Sequence, residues 1–286
     1  MKKSRFASVV LTALGLLFIY PLIVTLVSSF MSEMEISLNY TNQVSLFDLA
    51  QNITTHYLNM PLIPREVSLS QYKSVLFLQP TFLLLLLNSV KLTLPVVAGQ
   101  AVVSLLAAYG FTAWRWKFKD VVFSFYVLVM LMPLQAVIVP NYIIADMLGL
   151  KDSYLAIILP GVFAPFGVFL LRQSLKSIPD AYFEAARIDG GGHFYIFLHI
   201  VLPQMKSGLA ALSMLTFIEY WNLVDQAAVF IKDYFREPLS VYLSRMASGR
   251  TGLIFAASCV YLFFPLWFLV MGQKDLEIGI ELSGVK

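Results

Sequence analysis

The segment Glu184–Pro203, EAARIDGGGHFYIFLHIVLP, is charged at its start, Gly-rich in its middle and helical in pattern, yet it lies between two long apolar runs. In a chain built from such runs, a turn needs only a few residues, so a structured element at this position requires its own explanation.

The surrounding composition sets the frame. Of 286 residues, 59% are hydrophobic and only 13% charged, with a mean hydropathy of +0.77. A soluble domain carries about 25% charged residues. The chain is therefore read as an all-α polytopic membrane protein lying in the lipid bilayer. Crossing about 30 Å of hydrocarbon takes roughly 20 helical residues, and six runs approach that length: Val9–Phe30, Phe82–Ala108, Val121–Ala145, Tyr154–Leu171, Gly208–Phe230 and Leu253–Met271. None alternates as a barrel strand would. The fourth run is short, and Glu219, Asn222 and Asp225 dilute the fifth. The first follows Lys2, Lys3 and Arg5 but is too long for a signal peptide and lacks a small-residue cleavage site, so it reads as an uncleaved span.

Lys and Arg favour the cytoplasmic side. With the N-terminus inside, the inner segments hold twelve basic residues, among them Arg115, Lys117, Lys119, Arg172 and Arg187, and the outer ones hold seven. Both termini are thereby placed in the cytoplasm. The chain reads as one transmembrane domain, 1–286, with an extracellular loop at 31–80 and a cytoplasmic loop at 173–207. The net charge of +3 follows this topology and implies no nucleic-acid partner. Cys259 is the single cysteine, so no intrachain disulfide can form. Asn52-Ile53-Thr54 fits a glycosylation sequon of low specificity. Trp114 and Trp116 suit interfacial anchoring, and Pro95, Pro133, Pro140, Pro160, Pro165 and Pro265 invite kinks.

Within the cytoplasmic loop, Ser177-Ile178-Pro179-Asp180 reads as a helix start with Ser177 as N-cap. Gly190-Gly191-Gly192 ends that helix, because the residue past a helix C-terminus often needs positive φ. A second helix, HFYIFLHIVL, runs to Pro203. Phe183, Ala186 and Arg187 share one face, and Ala185 with Ala186 permits close approach of another body. Docking to a partner and lying on lipid headgroups both fit this pattern.

The spacing Glu184-Ala185-Ala186, three residues, Gly190, nine residues, Ile200-x-Leu202-Pro203 is similar at every position to the Glu-Ala-Ala signature of permease subunits in bacterial ATP-binding-cassette importers. Asn88–Val90, Ala107–Phe111, Leu131–Tyr142, Ile158–Gly190 and Tyr220–Asn222 resemble the carbohydrate-uptake branch, the type of the smaller maltose permease. The likeness runs from about Gln71 to the C-terminus and leaves out the loop before it. Gly191, where that family commonly has Ala, and Ser207, near a frequent second Pro, depart from the pattern.

The resemblance implies a type I importer permease fold in a bacterial plasma (inner) membrane, with the first loop helix docking into a separate ATPase. In that role Ala185 and Ala186 let the helix seat closely, Glu184 offers a charged contact or holds the loop, Gly190 makes the turn, Asp189 caps or pins it, and Ile200, Leu202 and Pro203 complete the element. The implied partners are a second homologous permease, two ATPase subunits, an extracellular solute-binding protein and a carbohydrate substrate. ATP and Mg would sit on the ATPases and no cofactor on this chain.

Chemistry of its own is scarce. There is no Gly-Lys dipeptide for a phosphate-binding loop, no His-Glu-x-x-His and no nucleophile elbow. His56, His193 and His199 are dispersed, so neither a catalytic set nor a metal site is expected. Ionisable residues inside spans default to function; Lys91, Glu219 and Asp225 are such residues and would serve the rival reading, an ion-coupled secondary transporter of a polar solute. Sugar hydroxyls want hydrogen bonds and pyranose faces stack on aromatic rings, which makes Asn88, Lys91, Gln135, Asn141, Glu219, Tyr220, Trp221 and Asn222 the expected lining of a translocation path.

Overall fold

A computed structural model describes residues 2–41, 61–114, 116–246 and 251–282. The sequon, His56, Arg115, Arg250 and Lys286 lie outside them. Besides short helical segments at Glu33–Thr41 and Ser70–Leu78, the described residues form twelve helices: α1 Lys2–Ser29, α2 Pro80–Ala113, α3 Lys119–Met130, α4 Leu134–Met147, α5 Leu155–Val162, α6 Pro165–Leu175, α7 Asp180–Ile188, α8 His193–Gln204, α9 Lys206–Trp221, α10 Asp225–Phe230, α11 Leu239–Arg245 and α12 Thr251–Leu282.

Four stretches are long and apolar enough to cross a membrane, or up to six if each of two bent pairs counts as one span. The first bent pair lies in the run Val121–Ala145, where Pro133 is expected to invite a kink: α3 and α4 meet at 101°. Pro133 has no N–H and holds an extended φ of −65° and ψ of 143°, so the ladder closing at Leu131 and Met132 cannot continue through it. The fifth run is corrected. Its helix stops at Trp221, where Asn222 bonds back to the Ile218 carbonyl through both its backbone N–H and Nδ2, and α10 begins afresh at Asp225. The second bent pair, α8 with α9 at 69°, follows Pro203. In the fourth run, Pro165 forces Ala164 into extended backbone and separates α5 from α6.

Two compact units divide the chain, with boundaries inside α2, α11 and α12. In the first, 1–86 with 242–264, the end of α1 is tied by Ser28 to the Tyr40 hydroxyl and by Ser29 to the Tyr72 hydroxyl, each at 2.7 Å. The buried Glu35 carboxylate accepts from the Arg65 N–H at 2.9 Å and from the Glu66 N–H.

The second unit, 87–241 with 265–286, holds the loop. Helices in lipid gain little from apolar burial against one another and associate through close packing and polar bonds. That is what joins α2 to α5 and α6. A Cβ on Gly161 would lie 2.6 Å from the Tyr220 hydroxyl and 2.8 Å from Val96, and one on Gly167 would collide with Ser104. Gln100 of α2 accepts a 2.6 Å hydrogen bond from Thr216 of α9, with both residues buried.

Candidate docking site

Helix α7 starts at Asp180, with Pro179 in the N-cap position and no side-chain cap. Ser177 is not the cap: its hydroxyl turns back to donate to the Ser174 carbonyl at 2.7 Å, closing the end of α6. Immediately ahead of the helix, Pro179 supplies the extended entry (ψ 137°) that the cap position requires.

The Gly turn has the form of a Schellman motif. Gly190 sits at φ +81°, its N–H bonds to the Arg187 carbonyl at 3.1 Å, and the Gly191 N–H reaches the Ala186 carbonyl at 2.8 Å. The turn is therefore pinned by backbone; among the described residues no side-chain bond engages Asp189 or Glu184, and both are exposed. Gly191 is not a loose point, because a Cβ there would meet the Ala186 carbonyl at 2.8 Å and the Tyr195 ring at 2.9 Å. The second glycine lets α8 fold back onto α7.

Helix α8 runs through a π-type turn at Phe197–Val201 just before Pro203, as expected where a proline removes the next ladder bond. It lies beside α7, and between them opens a groove of about 470 Å³ lined by Ala181, Tyr182, Ala185, Ala186, Asp189, Tyr195, His199 and Ile200. The sequence-expected residues Ala185, Ala186, Asp189 and Ile200 are thus brought to one concavity. Glu184 and Gly190 are exposed on α7 and its turn, and Leu202 and Pro203 are exposed further along α8. The aromatic wall was not among the expected residues. Tyr195 and His199 stack at 4.3 Å, and His199 Nδ1 lies 3.1 Å from the Tyr195 carbonyl. Their four-residue separation on one helix was the available signal.

Below the groove the loop is built into the helical core. Ala186, Ile196, Val201 and Met205 are buried with Leu105, Tyr109, Leu170, Leu171, Leu175 and Leu212. The Tyr109 hydroxyl lies 3.2 Å from both Nδ1 and the carbonyl oxygen of His193, and Trp114 meets the same imidazole edge-on at 6.0 Å. No group of three or more His, Cys, Asp or Glu able to hold a metal occurs among the described residues.

The expected path residues are less unified. Tyr220 is buried with Leu92, Val96 and Ile157; Trp221 is 1% exposed and stacks on Phe217 at 5.2 Å. Asn88 is buried and donates through Nδ2 to the carbonyls of Phe235 at 2.8 Å and Glu237 at 3.1 Å. Lys91, Gln135, Glu219 and Asn222 are exposed and Asn141 is half-buried.

A bundle of broken and unbroken apolar helices carrying a folded, grooved loop defines a class of polytopic membrane protein. Residues 100–273 match the family described as binding-protein-dependent transport system inner membrane component, and the chain belongs to that family. It is 38% identical over 141 residues to the sn-glycerol-3-phosphate transport system permease protein UgpE of Yersinia pestis, covering 49% of this chain and 50% of that one. It is 31% identical over 162 residues to the lactose transport system permease protein LacG of Rhizobium radiobacter, covering 57% and 59%. The chain thus spans about half the length of the Yersinia relative. Its fold is shared with a chain of a bacterial ABC transporter involved in the import of the acidic polysaccharide alginate, at a TM-score of 0.78 and 22% identity over 95% of both chains.

Proposed function

We propose that this chain is a permease subunit of an ATP-driven importer and that it carries a sugar, oligosaccharide or related polar solute across a bacterial inner membrane. The observation that carries the reading is the groove between α7 and α8, which gathers Ala185, Ala186, Asp189 and Ile200 beside an unengaged Glu184. Small residues at the floor let a partner approach the backbone, the Tyr195–His199 wall offers a flat surface, and an exposed carboxylate awaits a cation from outside the chain.

In this proposal the occupant of the groove is an ATPase subunit, one of two, which binds the ATP and Mg that this chain has no loop to hold. A second permease completes the path, an extracellular binding protein delivers the solute, and both termini are cytoplasmic. Closure of the ATPases would draw the α7 elements of the two permeases together and turn the cavity outward. Asn88, Lys91, Gln135, Asn141, Glu219, Tyr220, Trp221 and Asn222 are assigned to the path. The sugar assignment is supported by what the lactose and alginate systems are named for.

The test is purification of the tagged chain from its native membrane in mild detergent, with mass spectrometry of what accompanies it and an ATPase assay. An ATPase, a second permease and a binding protein in the eluate would support the reading. A lone polypeptide without ATPase activity would sink it.

A further inference from the structure

Helix α2 makes directional polar bonds at three levels. At the loop end, Tyr109 sets its hydroxyl 3.2 Å from both Nδ1 and the carbonyl of His193, the first residue of α8. Midway, Gln100 accepts from Thr216 of α9 at 2.6 Å. At the far end, Asn88 donates to the Phe235 and Glu237 carbonyls, and the Ser89 hydroxyl accepts from the Leu239 N–H at 2.8 Å. At a rise of about 1.5 Å per residue, Tyr109 and Asn88 stand about 30 Å apart, the depth of the hydrocarbon layer.

Other contacts on α2, such as Val96 against Gly161 and Ser104 against Gly167, are close packing. Such contacts resist overlap but have no preferred direction along the helix, whereas a hydrogen bond to a fixed carbonyl weakens steeply once it is misaligned. Two covalent routes also leave the loop, but α6 is interrupted at Phe163–Ala164 before α5, and α9 ends at Trp221, ahead of the residues that α2 holds. Helix α2 is unbroken from Pro80 to Ala113, with Pro95 its single internal proline. Residues 231–238 are not helical and can shift without unwinding a helix; α2 holds them at Phe235 and Glu237, and Asp152 holds them at Lys232, Asp233 and Arg236.

We infer that α2 is a strut, and that Tyr109 and Asn88 are positioning residues at its two ends through which displacement of the α7–α8 loop moves residues 235–239. The inference rests on the reading of that loop as the ATPase docking element.

The experiment uses the full complex, co-purified and placed in lipid nanodiscs, with an environment-sensitive fluorophore on Lys232→Cys in a Cys259→Ser background. Addition of ATP and Mg should change the emission. Tyr109→Phe, which keeps the ring against Phe197 (5.3 Å between centroids), should lower that change at least threefold while the ATPase still co-purifies in equal amount. Asn88→Leu should do the same from the opposite end. If Tyr109→Phe fails to accumulate, His193→Ala, on an exposed residue, carries the same expectation at smaller amplitude because the backbone carbonyl contact remains. Full emission change in Tyr109→Phe, or in His193→Ala where that variant stands in, overturns the strut. A parent chain that captures no ATPase would overturn the docking reading first, before any variant is compared, and the strut with it.

Discussion

The Arg172 guanidinium lies 3.7 Å from the centre of the Phe123 ring, while its Nη2 donates to Asp120 Oδ1 at 3.0 Å. The two contacts differ in weight. The Arg172 side chain is 7% exposed and that of Asp120 83%, so solvent screens the ion pair, and such pairs contribute about 0–1 kcal/mol. A desolvated cation–π contact contributes about 2 kcal/mol, and Phe123 also packs edge-on against Phe111 at 5.6 Å and parallel to Phe169 at 6.4 Å. Asp120→Asn is therefore expected to leave the melting midpoint in detergent nearly unchanged and Phe123→Leu to lower it clearly. The reverse order would assign the stabilisation to the ion pair.

Gly190 at φ +81° occupies backbone that costs an L-residue about 1–2 kcal/mol. Gly190→Leu should leave the protein in the membrane but distort the turn, so that solute-stimulated ATPase activity of the complex falls about tenfold. Glu184→Lys, which alters no internal contact, should produce the same uncoupling by charge alone. Normal stimulated activity in both variants would count heavily against the docking assignment.

At Gly167 the objection to a side chain is spatial, since Ser104 of α2 already fills the position. Overpacking of this kind costs about 1–3 kcal/mol. Gly167→Leu is expected to lower thermal stability, and Ser104→Gly in the same chain to restore part of it. An unshifted midpoint in Gly167→Leu would mean that α2 and α6 are not held in close contact.

Asp152, the one non-glycine residue with positive φ among those described (54°), accepts from the Lys232 and Asp233 N–H groups through Oδ1 and from Arg236 through its carbonyl. Asn tolerates this backbone and keeps an acceptor. Asp152→Asn should thus be nearly neutral, while Asp152→Ala should speed hydrogen exchange at the Lys232 and Asp233 amides severalfold. Equal exchange in the two variants would remove Asp152 as the anchor of that segment.

The helix–turn–helix form of the loop was legible in the sequence, because its determinant is local: a glycine that must take positive φ between two helical stretches. The spans were less evenly legible. Phe82–Ala108 lies inside an unbroken helix, whereas in Val121–Ala145 Pro133 signalled a kink but not that it would reach 101°. The polar Asn222 and Asp225 that weakened the fifth run mark a true helix end. Ser177 matched a capping pattern that Pro179 pre-empts. The Tyr195–His199 pair had its four-residue spacing as a signal, whereas the Tyr109–His193 link depends on how α8 packs against α2, which residue spacing along the chain does not encode.

Because the Gly190 turn is closed by two main-chain bonds and the buried side of α7 is anchored through Ala186, the outward rim of the loop is chemically independent of its scaffold. Tyr182, Glu184 and Arg187 can be exchanged without unmaking the turn. If the loop docks as proposed, the element is an adapter, whose fit to a different partner could be rewritten at the surface while its seating against the neighbouring helices stays as it is.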